Sequence, residues 1–264
     1  MKQYLANYHT HTKRCGHAQG SDEQYVKAAI DAKLEVLGFS DHMPVPDNIL
    51  TYSRMRPEEV AEYLTAINDL KEKYADKIKI LSGFECEWLP GEPEFIYDLR
   101  KQSDFIIFGN HERLIPNALY DYTYYCSDDQ DIEAYCQETK AALSTGWYSC
   151  FAHPEYFMLG RRSFSEKCRW AANYLAEVCC EYDVPMEINL KGWEKPHLID
   201  GIQQPAYPFK EFWQEVAKYP TKAIFGTDAH RPSEVFRFDQ IEAVLAYLDC
   251  PSLNIIEELE LKQL

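Results

Sequence analysis

Hydrophobic positions along the chain alternate between two kinds of segment. Short apolar runs, typical of buried parallel strands, are each followed by a longer segment in which apolar residues recur at helical spacing. The run from Val36 to Ser40 is one such strand, and the helix expected from Pro57 to Tyr74 carries Leu64, Ile67 and Leu70 on one face. The pattern therefore predicts strands and helices in alternation.

Seven strand-helix units follow one another. The predicted strands are Tyr4 to Tyr8, Val36 to Ser40, Ile78 to Phe84, Phe105 to Gly109, Ser149 to Ala152, Pro185 to Ile188 and Ala223 to Phe225. The predicted helices begin after Ser21, an N-cap with Gln24 as its capping-box partner, and continue at Pro57 to Tyr74, Pro93 to Arg100, Asp129 to Leu143, Ser165 to Tyr182, Phe209 to Lys218 and Ser233 to Leu248.

Two segments fit the pattern less well. The tyrosine-rich stretch from Leu114 to Tyr125 is interpreted either as a loop that covers a substrate or as a packed excursion. The tail from Pro251 to Leu264 contains a strand-like stretch, Leu253 to Ile256, for which covering the barrel is one interpretation.

Successive strand-helix units predict an α/β fold with parallel strands, either closed as a barrel or open as a doubly wound sheet. Residues suited to metal ligation follow strands 1, 2, 3, 4, 5 and 7. A closed barrel brings these strand ends around one mouth, whereas an open sheet concentrates chemistry at one switch point. We therefore predict a (β/α)7 barrel of the TIM-barrel type. The length allows one or two domains, and we expect a single domain over residues 1–264.

Composition narrows the class of protein. With 46% hydrophobic and 27% charged residues the chain can bury a large core. No apolar run is long enough for a membrane span, and Met1 to Tyr4 leads directly into a strand, so we expect a cytoplasmic protein without a membrane partner. The nine cysteines are scattered without a C-x-x-C pair, which predicts buried reduced thiols.

The chain is strongly acidic. A formal charge of −16 and a pI near 4.9 would repel a phosphate backbone, so long nucleic acid is not an expected partner. Most of the carboxylates are expected to be solvated surface groups. The sequence carries no signal for the oligomeric state.

Seven of the eight histidines lie at or just beyond a predicted strand end. Taken singly, each is more often a hydrogen-bonded structural group. Together with Glu85 and Asp228 they form a set of nine nitrogen and oxygen donors: His9, His11, His17, His42, Glu85, His111, His153, Asp228 and His230. Nine donors exceed the needs of one ion, so we predict two or three ions that share a bridging carboxylate. Zinc, manganese or iron suits such imidazole-rich ligation.

These motifs resemble those of the PHP family, named for polymerase and histidinol phosphatase. The resemblance rests on His9-x-His11, His17, Asp41-His42, Glu85, His111, His153-Pro154 and Asp228-x-His230, and it runs from the first strand to the seventh. It implies a distorted seven-stranded barrel with a trinuclear metal site.

The resemblance also implies an assignment of ligands to ions. The three groups are His9, His11, Glu85 and Asp228 for the first ion, Glu85, His111 and His153 for the second, and His17, His42 and His230 for the third. Glu87 lies on the same side of its strand as Glu85, so spacing leaves both as candidates for the bridge, and the resemblance selects Glu85. Asp41 is expected to orient a ligand.

The implied reaction is hydrolysis of a phosphate ester. Metal ions of such a cluster lower the pKa of a bridging water and so supply hydroxide for attack on phosphorus. Glu85 as the bridge and Asp228 as a proton relay are the predicted catalytic residues. Five basic residues lie near strand ends, Arg14, Arg54, Arg161, Arg162 and Lys191, and we expect about two of them to contact the phosphate, with Arg161 and Lys191 preferred.

Weaker motifs address the substrate. The stretches from Tyr52 to Arg56 and from Met186 to Asn189 resemble the histidinol phosphatase branch, whereas Phe108 to Glu112 departs from the Ser-Val-His expected there. Histidinol phosphate is therefore the leading substrate. Another small phosphate or phosphotyrosine comes next. The acidity disfavours an exonuclease, and the complete ligand set disfavours a non-catalytic metal-binding module.

Overall fold

A computed structural model describes residues 4–46, 53–115, 118–122 and 126–264. Its strands are β1 (Ala6–Asn7), β2 (Val36–His42), β3 (Lys79–Cys86), β4 (Phe105–Gly109), β5 (Glu112–Ile115), β6 (Ala118–Asp121), β7 (Cys150–Ala152), β8 (Met186–Asn189), β9 (Pro196–Ile199), β10 (Ile202–Pro205), β11 (Lys222–Gly226) and β12 (Asn254–Ile255). Eight of them form one sheet in the order β1-β2-β3-β4-β7-β8-β11-β12, and all its pairs are parallel.

The sheet curls until its first strand meets the segment after β11. A parallel bridge joins Thr10 to Ala229. In this seam the amide of His11 donates to Ala229 O at 2.9 Å, and the amide of Ala229 donates to His9 O at 3.2 Å. The seam lies beyond the carboxyl ends of β1 and β11, so the barrel closes at its mouth. The predicted distorted barrel is confirmed, and β12 adds a strand beside β11.

Helices cover the outside of the sheet. They are α1 (Asp22–Asp31), α2 (Val60–Lys73), α3 (Pro93–Gln102), α4 (Asp129–Leu143), α5 (Glu166–Tyr182), α6 (Lys210–Val216) and α7 (Ile241–Leu248). The apolar face predicted for α2 is buried, with Leu64, Ile67 and Leu70 in the core between helices and sheet. Ser21 precedes α1 as predicted, and its amide donates to Gln24 Oε1 at 2.8 Å.

The inside of the barrel holds a second, smaller core. It consists of Ala6, Tyr8, Val36, Leu81, Phe105, Ile107, Cys150, Ala152, Ile224 and Leu259. Along β3 the inward positions change from Leu81 through Gly83 to Glu85, so apolar packing gives way to polar chemistry towards the mouth. Gly83 makes room for Phe105, whose ring would lie 2.6 Å from a Cβ atom at that position. The aromatic ring thereby fills the middle of the barrel beneath the polar end.

The C-terminal tail closes the other end of the barrel. Leu259 is buried in the inner core, and its amide donates to the Tyr8 hydroxyl at 3.3 Å. Lys262 extends the contact through its amide, which donates to Ser149 Oγ, and its ammonium group, which donates to the carbonyl of Asp183. The strand-like stretch itself does not cover the barrel, because it pairs with β11 as β12, and the residues that follow it fill this role.

The differences from the predicted elements concern irregular segments. Residues 233–240 were expected to be helical, but they contain two 3-10 turns before α7 begins at Ile241. The tyrosine-rich stretch contributes to the hairpin β5–β6, and its residues 116, 117 and 123–125 lie outside the described residues. The hairpin β9–β10 was not predicted.

Two composition-based expectations can be compared with the structure. All nine cysteines are free thiols, and only Cys180 is exposed, as expected for buried reduced thiols. None of the helices in the described ranges combines the length and the apolar character that a membrane crossing requires.

Removal of the Leu259 side chain should destabilise the barrel at the end opposite its mouth. Leu259→Ala leaves a cavity in the inner core and should lower the free energy of unfolding by about 3 kcal/mol in denaturant titrations. Leu264→Ala serves as the control because Leu264 is 59% exposed, so the expected change is under about 0.5 kcal/mol. Equal effects of the two substitutions would show that the tail does not seal the core.

Candidate metal centre

The nine predicted ligands come together at the mouth of the barrel. His9 and His11 follow β1, His42 ends β2, Glu85 lies near the end of β3, His111 follows β4, His153 follows β7, Asp228 and His230 follow β11, and His17 follows a short 3-10 turn after β1. Parallel strands in a barrel direct all their carboxyl ends to one face, which explains how residues so distant in sequence become neighbours.

Glu85 lies at the centre of this set. Its Oε2 atom is 3.1 Å from His42 Nδ1, 3.4 Å from His9 Nε2 and 3.5 Å from His11 Nε2. Its Oε1 atom is 2.9 Å from His153 Nε2 and 3.3 Å from His111 Nε2. The two oxygens thus face different groups of imidazoles, which is the arrangement of a bridging carboxylate.

The first group surrounds Glu85 Oε2. The Nε2 atoms of His9 and His11 are 3.1 Å apart, and Asp228 Oδ1 lies 3.2 Å from His11 Nε2. The second group surrounds Glu85 Oε1, with the Nε2 atoms of His111 and His153 also 3.1 Å apart. Two imidazole nitrogens at such a separation converge on one point, as ligands of a shared ion do.

The third group lies towards the surface. The Nε2 atoms of His17 and His230 are 2.8 Å apart, and a ligand atom of His42 lies within 4.8 Å of both. Cys15 Sγ also lies within 4.8 Å of ligand atoms of His11 and His230, and Cys15 was not predicted as a donor. Burial, with a smaller contribution from Asp41, raises the pKa of the Cys15 thiol to about 12, so the thiol is protonated at neutral pH.

The donor set fits metal ions better than it fits a closed hydrogen-bond network. Glu85 Oε2 is buried and accepts no hydrogen bond from the described residues, although three imidazole nitrogens lie within 3.5 Å. His42 Nδ1 is likewise buried without a hydrogen bond in the described part of the chain. Buried polar atoms are rarely left unsatisfied, and ions held between these atoms would satisfy them.

Glu187 on β8 holds the first group from behind, and the sequence reasoning missed this role. Its Oε1 atom lies 2.8 Å from His9 Nδ1, and its Oε2 atom accepts hydrogen bonds from the His153 amide and from Asn189 Nδ2. Gly226 on β11 allows this approach, because a Cβ atom there would collide with the Glu187 carboxylate. The sequence did carry one signal for this role, because Glu187 is an acidic residue within an otherwise apolar predicted strand.

Glu87 has a different role from Glu85. Its Oε1 atom lies 2.7 Å from His111 Nδ1, and its Oε2 atom accepts a hydrogen bond from the His111 amide at 2.9 Å. Arg54 donates to the same carboxylate at 2.6 Å. Glu87 therefore orients His111 from outside the cluster, whereas Glu85 lies within it.

Asp41 occupies a similar outer position. Its Oδ1 atom is 3.4 Å from His11 Nδ1 and accepts a hydrogen bond from the His42 amide at 2.9 Å. The hydroxyl of Thr12 donates to the other oxygen. A carboxylate behind a ligating imidazole fixes the ring orientation and raises the basicity of the nitrogen that faces the metal.

Electrostatics divides the histidines into two classes. Burial alone would lower the pKa of His9 and His111, but nearby carboxylates outweigh it, with Glu187 acting on His9 and Glu85 on His111. The pKa of His9 is held well above its usual range and that of His111 rises to about 9. By contrast, burial lowers the pKa of His42, of His17 and of His230, the last to about 4.

Two of the predicted ligands have backbones in the left-handed region. The φ angle is 30° at His153 and 47° at Asp228. This conformation is unfavourable for residues other than glycine, and it persists where the surroundings require it. Both positions lie within two residues of a strand end, β7 for His153 and β11 for Asp228.

The predicted phosphate-binding residues are divided by the structure. Lys191 and Arg54 line the cavity above the histidines. Arg14 is instead held by Asp22 at 2.9 Å and Glu62 at 2.7 Å beside α1 and α2. The side chain of Arg161 is directed to the carbonyl of Ser127 and to Asp129, and Arg162 is exposed. The structure thus does not bring Arg14 and Arg161 to the cavity, because other partners engage their long side chains.

The cavity itself has a volume of about 230 Å³ and suits a small ligand. Besides the predicted site residues it is lined by Ser53, Glu112, Asp121, Tyr156, Lys195 and Tyr207. Burial and the neighbouring Lys191 lower the pKa of Lys195.

Comparisons with known proteins agree with this geometry. The model of the PHP domain family matches residues 7–191. A "Probable histidinol-phosphatase" of Deinococcus radiodurans is 27% identical over 249 residues, which cover 89% of this chain and 90% of the relative. The histidinol-phosphatase of Bacillus subtilis is 28% identical over 258 residues, which cover 86% of this chain and 94% of the relative.

A solved structure supports the fold. The histidinol phosphate phosphatase of Lactococcus lactis, complexed with zinc, L-histidinol and phosphate, superimposes with a TM-score of 0.72 at 16% identity and covers 97% of this chain and 99% of its own. The family model spans more than half of the chain, so this protein belongs to the PHP domain family, as its motifs predicted.

Substitution of Glu187 should weaken metal binding without removal of a ligand. Glu187→Gln takes away the charge that orients His9, and the metal affinity should fall about 10- to 100-fold. The measurement is a competition titration of zinc against a chelating dye. Glu166→Gln, at a side chain that is 91% exposed, is the control and should bind like the wild type. Equal affinities for Glu187→Gln and wild type would contradict the role of Glu187.

Proposed function

We propose that this protein is a metal-dependent phosphatase that converts L-histidinol phosphate and water to L-histidinol and phosphate. The observation that supports it most is Glu85, which faces five imidazoles beneath a cavity lined by Lys191. The names of the relatives agree with the class predicted from the sequence, a phosphoric monoester hydrolase. The substrate is taken from those names and from the ligand of the Lactococcus lactis structure.

Three groups of residues would hold three ions, of zinc, manganese or iron. His9, His11, Glu85 and Asp228 would hold the first, Glu85, His111 and His153 the second, and His17, His42 and His230 the third. When bound, such ions lower the pKa of a coordinated water and neutralise phosphoryl oxygens. The distances within each group support this assignment, and Glu87, Asp41 and Glu187 would keep the imidazoles in place.

Lys191 is the residue best placed to bind the phosphate. Its ammonium group lies 3.0 Å from Asp228 Oδ1 and also contacts His230, so it stands between two ligand groups at the cavity wall. A phosphate oxygen above the ions would lie within reach of this flexible side chain. Arg54 lines the same cavity and would be the second cation.

Asp228 would act mainly as a ligand. Burial alone would raise its pKa, but Lys191 and His9 hold the pKa of this carboxyl well below its usual range. A carboxylate with so low a pKa is a weak base, so a proton relay through Asp228 would be inefficient. Its role in the reaction would be to hold an ion and to position Lys191.

Other substrates of the same class remain as alternatives. Another small phosphate or phosphotyrosine would also fit the ligand set, whereas a cavity of about 230 Å³ in a protein of charge −16 disfavours an exonuclease. The complete ligand set disfavours a non-catalytic metal-binding module.

Metal removal should abolish the activity. Protein loaded with zinc or manganese should hydrolyse an aryl phosphate, lose this activity after chelation and regain it after addition of metal. Among histidinol phosphate, nucleotides, sugar phosphates and phosphotyrosine peptides, histidinol phosphate should give the highest kcat/KM. Full activity after exhaustive chelation would contradict the metal mechanism, and turnover of histidinol phosphate no faster than the aryl phosphate would contradict the substrate.

The third ion can be tested by stoichiometry. His17→Ala removes one ligand of the group nearest the surface, so the metal content should fall by about one ion per chain, as measured by elemental analysis after gel filtration. His197→Ala is the control, because His197 contacts the carbonyl of Arg161 and belongs to no ligand group. Unchanged metal content in His17→Ala would argue for two ions.

A further inference from the structure

Arg14 lies behind the predicted metal site, and its hydrogen bonds use the whole guanidinium group. Nε donates to Glu62 Oε2 at 2.7 Å, Nη2 donates to Glu62 Oε1 at 3.0 Å and to Asp22 Oδ2 at 2.9 Å, and Nη1 donates to Asp22 Oδ1 and Thr12 Oγ1, both at 3.1 Å. A guanidinium group has five N–H donors, and each of them has an acceptor here. Among the described residues, the only one of these acceptors that is not a carboxylate is the Thr12 hydroxyl.

The Thr12 hydroxyl connects Arg14 to Asp41. Its oxygen accepts hydrogen bonds from Arg14 Nη1 at 3.1 Å and from the Arg14 amide at 3.3 Å, which occupy both acceptor positions of a hydroxyl oxygen. The single hydroxyl proton is then left to donate to Asp41 Oδ2. Arg14 therefore fixes the direction of the hydrogen bond between the hydroxyl and the carboxylate.

Asp41 connects this hydroxyl to the first group of predicted ligands. A carboxylate only accepts hydrogen bonds, so His11 Nδ1, which lies 3.4 Å from Asp41 Oδ1, must carry the proton in this contact. The other ring nitrogen, Nε2, then directs its lone pair to the point that it shares with His9 Nε2, 3.1 Å away. The same Oδ1 atom accepts a hydrogen bond from the His42 amide. The carboxylate thus sets the tautomer of one predicted ligand and holds the backbone of another.

The hydrogen-bond chain from Arg14 to His11 runs through the interior of the protein. Thr12, Asp41 and His11 are fully buried, and the two carboxylates that hold Arg14 belong to α1 and α2. A buried polar group that loses its partner is left unsatisfied, because water does not replace the partner. Each link of the chain therefore depends on the one before it, from the outer helices to the imidazole.

We propose that Arg14 is a positioning residue for the metal site, which acts on His11 through Thr12 and Asp41. The inference rests on the proposed metal centre and deepens it, because it gives a role to a buried arginine whose donors are all engaged away from the substrate cavity. The two outer carboxylates hold the guanidinium group, and the guanidinium group directs the Thr12 hydroxyl. Asp41 then keeps Nε2 of His11 free for an ion.

The test measures zinc affinity by competition titration against a chelating dye, with His11→Ala to identify the binding step of the first ligand group. Thr12→Val has nearly the same shape but no hydroxyl, and it should lower the affinity of this step about 10-fold. Thr12→Ser keeps the hydroxyl and should retain most of the wild-type affinity. Thr65→Val makes the same change at an exposed threonine of α2 and should bind zinc as the wild type does.

A double variant tests whether Arg14 acts through Thr12. Arg14→Gln alone should also lower the affinity about 10-fold, but the double variant should lose about 10-fold rather than about 100-fold, since without the hydroxyl the guanidinium group has nothing to direct. Arg169→Gln is the control for the loss of an arginine held by two carboxylates, because Arg169 pairs with Glu166 and Glu215 on the outer helices. It should leave the zinc affinity unchanged.

Proton exchange provides a second readout that needs no metal. The contact with Asp41 should protect the Nδ1 proton of His11 from exchange with solvent in the metal-free protein. Histidine side-chain NMR spectra should therefore show faster exchange of this proton in Thr12→Val and in Arg14→Gln than in wild type and Thr12→Ser.

Three results would overturn the proposal. Thr12→Val with the zinc affinity of the wild type is one, and equal exchange rates in wild type and both single variants are another. The third is a double variant that loses the product of the two single losses, because Arg14 would then act on another path. All three would leave the phosphatase function intact. A wild type that binds zinc but hydrolyses no phosphate ester would instead contradict the proposed function, and the affinities and exchange rates of the variants would still decide the role of Arg14.

Discussion

A buried carboxylate is the constraint on which the site depends. Glu85 lies inside the barrel and is 1% exposed, and an isolated charge in such a place is unfavourable unless other groups compensate it. Histidines after β1, β2, β4 and β7 provide this compensation, and each belongs to a different part of the sheet. The positions of the strand ends are therefore coupled through one side chain. Of the histidines around it, His9 and His111 have raised pKa values and compensate the charge of Glu85 when they are protonated, and bound ions would take over that compensation.

A second layer of carboxylates gives the cluster its rigidity. Glu187 contacts His9 and the His153 amide, Glu87 contacts His111, and Asp41 contacts His11. These carboxylates come from β8, from the end of β3 and from β2, so the imidazoles of His9, His11 and His111 are each held by a carboxylate from a strand other than their own. Because the strands fix the positions of these carboxylates, the carboxylates fix the orientations of the rings that they contact. This explains why the ring nitrogens converge in the structure.

The sequence predicted what depends on periodicity and missed what depends on tertiary contacts. The bounds of α4, Asp129 to Leu143, agree with the prediction, and the side chain of Asp128 caps its first turn. The predicted strand ends likewise placed the nine predicted ligands at one mouth, where the structure brings them together. The role of Glu187 was missed because it requires the register of β8 with β11. Arg14 and Arg161 were assigned to the cavity because only the folded chain places Glu62 beside Arg14 and Ser127 beside Arg161.

The seam between Thr10 and Ala229 has a consequence for folding during synthesis. Asn7 and Thr227, which are hydrogen-bonded beside the seam, are 220 residues apart in the chain. During synthesis His9 and His11 are made before Asp228 and His230, so the nine predicted ligands come together only after β11 has been translated. Closure of the barrel at the seam and assembly of the predicted ligand set are therefore one event.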